Sequence, residues 1–314
     1  MLRDIQRGED AQIAAVVAVI AKADADVLVL MSVDYDLDGV ALAALAERLA
    51  AAGVAYPYRF ALRPNTGRPT GLDIDGNGRL GEARDAQGFG FFSGNGGMAI
   101  LSRLPIATAG VRDFSAFLWR DLPGGLSQAG AEEAAVQRLS TTGHWDVPLT
   151  LPDGGALHLL AWHATPPVFD GAEDRNGRRN HDETAFWLRL LEGALPMPPP
   201  PAPYVLIGTP NLDPVDGDGR RDAIAALLAS PALQDPRPPS PRAEGQAAHT
   251  GDPALDTAAF GGEVGALRVD MILPSAEFAV SAAGMIWPRD DDPFASTVTL
   301  ASRHRLVWVD LRLP

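Results

Sequence analysis

Four short stretches of this chain place reactive polar side chains at or beside the end of a predicted strand. "DVLVLM" (Asp26 to Met31) runs into Ser32 and Asp34, and "ALHLLAWH" (Ala156 to His163) ends on His163. "YVLIGTPNLDP" bends at Gly208 and then offers Thr209, Pro210, Asn211 and Asp213. His304 stands just before "RLVWVDL". Strand ends are where α/β proteins collect their chemistry. Asp270 sits inside "LRVDMIL", and a carboxylate in an apolar strand needs a partner. Pairing with a histidine of an adjacent strand meets that need and orients the imidazole. Each histidine alone reads more readily as a satisfied structural residue than as a site; together they point to a site.

Two further clusters carry chemistry of their own. "LDIDGNGRLGEARD" (Leu72 to Asp85) has Asp73, Asp75, Asn77 and Gly78 at the spacing of a Ca²⁺-binding loop. The glutamate expected at the twelfth position is Arg84, with Asp85 next to it. The competing reading is a glycine-rich turn held by Asx hydrogen bonds. "HATPPVFDGAEDRNGRRNHDE" gathers Arg175, Arg178 and Arg179 in an acidic chain, a set that suits phosphate or carboxylate. The plainer reading there is a helix N-terminus carrying surface ion pairs.

The elements that must position these groups alternate strand with helix. Helices are expected from Glu9 to Ala23, from Val40 to Ala52 with Gly53 closing it, from Asp182 to Glu192, and from Asp222 to Ala229. Strands are expected at Asp26 to Met31, Gly97 to Ser102, Ala156 to His163, Tyr204 to Ile207, Leu267 to Leu273, Glu277 to Ala283 and Arg305 to Leu311. Within the third of these, Leu157, Leu159, Ala161 and His163 share a face. Arg63 to Gly97 is a long Gly/Asn/Asp/Pro-rich loop, Pro196 to Pro203 is a linking loop, and Ser230 to Gly262 lacks pattern. The alternation indicates α/β architecture in a single domain, residues 1–314.

The 314 residues are 46% hydrophobic, enough for a sizeable core. A net charge of −14 disfavours duplex DNA as a partner, because a phosphate backbone calls for a basic face. With no cysteine, thiolate metal sites and disulfides are excluded. No apolar run reaches the ~20 residues of a membrane span. As written the chain reads as soluble and cytoplasmic, or as exported if a signal lies upstream.

The stretches "ADVLVLMSVDYD", "GMAILSRLPI", "LHLLAWHATPPVFDGAEDRNGRRNHDE", "YVLIGTPNLDP", "LRVDMILPS" and "SRHRLVWVDL" resemble, in order, the endonuclease/exonuclease/phosphatase superfamily, the fold of deoxyribonuclease-like enzymes. "PNTGRPTGLDIDGNG" and the Arg175 stretch further resemble a bacterial branch of it. The resemblance implies a four-layer α/β/β/α sandwich of two packed mixed sheets and Mg²⁺-dependent cleavage of phosphoesters. It implies catalytic roles for His163, Asn211, Asp270 and His304. It also implies a first strand, with its own asparagine, ahead of residue 1.

Three positions depart from the family pattern. The metal-binding glutamate is Ser32, the aspartate of the Gly-Asp-x-Asn loop is Thr209, and the aspartate before the last histidine is Arg303. Mg²⁺ prefers hard anionic oxygen in near-octahedral geometry, so these changes weaken its site. Arg303 offers a fixed cation where the metal would stand. Asp34 offers a substitute ligand if strand parity puts it on the face of Ser32. The expectation is a degenerate phosphoesterase that still binds a small phosphorylated ligand. The alternative is an active phosphodiesterase or nuclease with a rebuilt site, and a Ca²⁺-stabilised extracellular protein is compatible with either.

Overall fold

The computed structural model describes residues 2–242 and 249–313; residues 243–248, part of the stretch expected to lack pattern, lie outside them. The chain opens with α1 (Leu2–Arg7), α2 (Ala11–Ala23), β1 (Val27–Val33), α3 (Val40–Ala51), β2 (Tyr58–Phe60) and β3 (Gly97–Ser102). Then come β4 (Arg112–Asp113), α4 (Ala131–Val136), β5 (His144–Thr150), β6 (Ala156–His163), α5 (Arg175–Leu191), β7 (Tyr204–Thr209) and α6 (Asp222–Leu228). It ends with β8 (Ala258–Gly261), β9 (Gly265–Leu267), β10 (Met271–Pro274), β11 (Ala279–Ile286), α7 (Ala295–Ala301) and β12 (Leu306–Arg312).

One sheet has the order β2-β3-β1 and a second the order β10-β7-β6-β5-β4; β11 and β12 form a hairpin, as do β8 and β9. Alternation along the strands builds the layers. On β3, Ala99 and Leu101 pack with Leu42, Leu45 and Leu49 of α3, while Met98 and Ile100 pack against Trp145 and Val147 of the other sheet. On β6 and β7, Leu160, Trp162 and Leu206 meet Phe186, Trp187 and Leu190 of α5. Leu159, Val205 and the partly buried Ile207 turn inward, between the sheets. The result is the expected α/β/β/α sandwich. Only the second sheet is mixed: β6 and β7 run parallel, and every other strand pair among the described residues is antiparallel.

Several elements depart from the sequence expectation. The helix expected at Asp182 begins at Arg175. Its first two turns are polar and bury through hydrogen bonds rather than apolar packing, so the apolar period missed them. The strand expected over Leu267 to Leu273 is two, β9 and β10, and Asp270 lies between them at a strand mouth. β2, β4, β5, β8 and helices α1, α4 and α7 were not expected at all. No helix among the described residues is long and apolar enough to cross a membrane.

Ile100 is 0% exposed between the sheets. Ile100→Ala is therefore expected to lower unfolding free energy by about 2–5 kcal/mol, measured by urea denaturation.

Candidate functional site

Register alone lines up four of the expected residues. In the parallel β6–β7 pair His163 stands opposite Thr209. In the antiparallel β7–β10 pair Gly208 stands opposite Met271, which puts Asp270 beside Thr209. His304 reaches the same point from the approach to β12, bridged through the backbone to Ala258.

The Asp270 carboxylate is the hub. Thr209 Oγ1 donates to its Oδ1 at 2.6 Å, and Thr257 Oγ1 donates to its Oδ2 at 2.9 Å. His304 Nδ1 lies 2.9 Å from Oδ2 and 3.1 Å from Oδ1. Thr257 Oγ1 in turn accepts from the backbone N–H groups of Val269 and Asp270, at 3.0 and 2.9 Å. This threonine lies in the stretch that carries no sequence pattern, and nothing in its neighbourhood signals the role.

The two histidines are pulled in opposite directions. Burial lowers the His304 pKa, but the charge of Asp270 and its hydrogen bond outweigh that and raise it above 6.5. His163 is pushed down to about 4, first by burial and then by His304, with Asp270 opposing. Its Nδ1 is buried without a hydrogen-bond partner. The pair thus presents a readily protonated imidazole beside a neutral one.

Asn211 adopts a left-handed backbone, φ 53°, which asparagine tolerates better than most residues. Its Nδ2 donates to the carbonyl of Ala164 at 2.7 Å, tying the loop after β7 to the loop after β6. Asn180 of α5, fully buried, makes a second tie through Nδ2 to the carbonyls of Thr165 and Pro210, at 2.6 and 2.7 Å. Glu183 accepts from the Thr165 N–H at 2.7 Å. The polar first turns of α5 therefore brace the two loops that carry His163 and Asn211.

The substituted positions fall in different places. Ser32 lines the same cleft as His163, Thr209, Asp270 and His304, a cavity of 1090 Å³. Arg303 is exposed and not among the residues lining that cleft. Asp34 is outside the lining as well: its Oδ1 accepts from the Gly96 N–H at 2.9 Å and Asn95 Nδ2 at 3.3 Å. The parity argument for Asp34 fails because β1 slips register between Met31 and Val33, with Ser32 at φ 58°.

The arginines lie away from the cleft as well. Arg179 is buried and donates to the carbonyls of Leu139 at 2.8 Å and of Arg138 at 2.9 Å. Burial brings its pKa down to about 10. Arg175 pairs with Glu133 at 2.5 Å and donates to Gln137 at 2.9 Å, and both guanidiniums lie over the Trp119 ring. Arg178 is half-buried, and none of the three lines the cleft.

In the Gly-rich loop, carboxylate oxygens of Asp73, Asp75 and Asp85 lie within 4.8 Å of one another, a group that could hold a metal ion. Asx hydrogen bonds are present too: Asp73 accepts from the N–H groups of Asn77 and Gly78, at 3.1 and 2.7 Å. Asn77 Nδ2 donates to Asp75 at 3.1 Å.

The model of the Endonuclease/Exonuclease/phosphatase family matches residues 5–304. No curated protein is significantly similar in sequence. Among solved structures, an endonuclease/exonuclease/phosphatase from Beutenbergia cavernae DSM 12333 matches 97% of this chain and 66% of its own, at 21% identity and a TM-score of 0.59. This chain thus spans about two thirds of that protein's length. A family protein from Leptotrichia buccalis matches 96% of this chain and 93% of its own, at 14% identity and a TM-score of 0.54. The mannosyl-6-phosphatase of Bacteroides thetaiotaomicron VPI-5482 matches 99% and 95%, at 14% identity and a TM-score of 0.50.

The His304–Asp270 pair stabilises the fold fully below about pH 6.5, and that contribution is lost as pH rises through the higher folded value. By NMR, the His304 ring should titrate above 6.5. In Asp270→Asn it should titrate below 6.5, because burial then acts unopposed.

Proposed function

The chain belongs to the endonuclease/exonuclease/phosphatase family, and we propose that it is a member that binds a phosphorylated ligand without efficient metal-dependent hydrolysis. The observation that carries this reading is the state of Asp270. Both of its oxygens accept from hydroxyls, and the imidazole of His304 takes up what remains. An aspartate in place of Thr209 would set two carboxylates against each other, an arrangement that calls for a cation. The threonine donates a hydrogen bond there instead, and the need for a cation goes.

The donor set does not fit Mg²⁺. The cleft mouth offers one carboxylate already satisfied by protein donors, together with hydroxyls and imidazoles, where Mg²⁺ wants free anionic oxygens. The same groups suit an anion. Protonated His304 supplies a cation beside a neutral His163, and Asn211 keeps one amide N–H beyond the one given to Ala164. The fold relative named as a mannosyl-6-phosphatase supports a small phosphomonoester as the ligand class. The chain's net charge of −14 argues against duplex DNA.

Hydrolysis of bis-p-nitrophenyl phosphate and p-nitrophenyl phosphate, with Mg²⁺, Mn²⁺, Ca²⁺ or chelator, tests this. The natural protein is expected to stay at background. The triple variant Ser32→Glu, Thr209→Asp and Arg303→Asp is expected to gain metal-dependent turnover. Chelator-sensitive turnover by the natural protein would overturn the reading in favour of an active phosphoesterase with a rebuilt site.

For the Gly-rich loop we propose a Ca²⁺ site built on Asp73, Asp75, Asn77 and Asp85. Support comes from the three clustered carboxylates, of which Asp85 also accepts from the backbone N–H groups of Ile74 and Glu82, at 2.9 and 3.1 Å. Ca²⁺ at 100 times its Kd would add about 2.7 kcal/mol of stability. Calorimetry should show binding that the Asp73→Asn, Asp75→Asn variant loses. No heat and no change in melting temperature would leave the Asx turn as the whole explanation.

A further inference from the structure

His249 stands apart from every site residue assigned above, in the segment ahead of β8, and its side chain is only 5% exposed. Its ring meets acceptors at both ends. Nε2 lies 3.1 Å from Asp256 Oδ1. Nδ1 lies 3.1 Å from the carbonyl of Gly251 and 3.3 Å from Asp216 Oδ2. A neutral imidazole has one N–H and one lone pair. Either tautomer would therefore aim a lone pair at an oxygen. With the aspartates ionised, only the imidazolium donates at both ends. The carboxylates it joins are buried as well, with side chains 9% exposed at Asp216 and 3% at Asp256.

The ring joins two segments that reach the candidate site separately. Asp216 belongs to the loop after β7 that carries Asn211. In that loop Asp213 Oδ1 accepts from the N–H groups of Val215 and Asp216, at 2.7 and 2.9 Å. The Asp216 carboxylate in turn accepts from the N–H groups of Thr250 and Gly251, both at 2.8 Å. Asp256 immediately precedes Thr257, whose hydroxyl donates to Asp270. Among the described residues the charged groups facing the ring are negative: Asp216 and Asp256 touch it, and Asp213 adds its charge at Asp256. Burial lowers the His249 pKa, but the hydrogen bond and charge of Asp256, with the charge of Asp216, outweigh that and raise it above 6.5.

We propose that His249 is a pH-operated clip: its charged form fastens the Asn211 loop to the segment that carries Thr257, and loss of the proton releases both and weakens anion binding at the Asp270–His304 site. The effect on binding rests on the function proposed above; the clip itself does not. Folded His249 holds its proton more tightly than a free imidazole. The clip is therefore fully closed below about pH 6.5 and opens as pH rises through the higher folded value. With the proton gone, Asp216 and Asp256 lose the cation between them, and a ring lone pair faces an oxygen. His304 loses its proton in the same direction, so a fall in phosphate affinity alone does not identify the clip.

Amide exchange at Thr250 and Gly251, followed by NMR without ligand and corrected for the intrinsic base-catalysed rate, reads the clip directly. Protection should be constant below about pH 6.5 and fall above it, about tenfold for each unit by which the folded pKa of His249 exceeds that value. In His249→Gln, where the side chain cannot titrate, the corrected profile should be flat. The His249 ring signal of the natural protein, which needs no variant, should titrate above 6.5. A ring titrating at or below 6.5 overturns the proposal. So does a flat profile in the natural protein, or an equal slope in the variant. Inorganic phosphate, titrated by calorimetry at about pH 6 and about pH 8, should lose more affinity on the natural protein than on His249→Gln, where His304 alone still titrates. Equal losses overturn the link between clip and site. Phosphate that binds neither protein at either pH overturns the function proposed above, while the exchange profile still decides the clip.

Discussion

A carboxylate taken out of water must be paired, and in this molecule that requirement centres on Asp270. Two threonine hydroxyls and one imidazole meet it, drawn from β7, from the segment before β8 and from the approach to β12. Those three donors come from chain segments far apart in sequence. Their meeting depends on the β6–β7–β10 register and on the bridge between Ala258 and His304. A slip of one residue on any of these strands would turn His163, Thr209 or Asp270 to the wrong face.

The layers around this hub have separate tasks. Aromatic packing of Phe186 and Trp187 of α5 on Leu160 and Trp162 fixes the helix against the second sheet. Its polar first turns then hold the loops after β6 and β7 through Asn180 and Glu183. Glu183 is 0% exposed, and burial lifts its pKa to about 7 despite hydrogen bonds from Thr141 and Thr165. One helix thus serves as core on one stretch and as loop brace on the next. The first sheet contributes less to the site. It presents Ser32 at a bulge and leaves the open edge of β1 beside it.

Much of this was legible in the sequence, for identifiable reasons. Strands such as β3, β6 and β7 are runs of apolar residues cut by Gly or a polar cluster, and their period is visible without neighbours. A carboxylate in an apolar run demands a partner, which pointed from Asp270 to a histidine; the family resemblance is what singled out His304. Thr257 was not, because a hydroxyl between unpatterned residues gives no local signal; its importance comes from what folding brings to it. Arg175, Arg178 and Arg179 misled because a local run of arginines suggested a ligand site, while in α5 Arg175 and Arg179 are taken up by Glu133, backbone carbonyls and the Trp119 ring. Asp34 misled because parity counting assumes a regular strand, and Ser32 breaks it.

Whether Asp270 is satisfied by protein donors or free to bind a metal decides the character of the site. Paramagnetic Mn²⁺, titrated while the histidine ring signals are followed by NMR, reports on that directly. The His163 and His304 signals are expected to keep their linewidths at Mn²⁺ levels that broaden them in the Ser32→Glu, Thr209→Asp, Arg303→Asp variant. Selective broadening of His163 and His304 in the natural protein would contradict it, because a metal would then be standing where Thr209 and Thr257 hold the carboxylate.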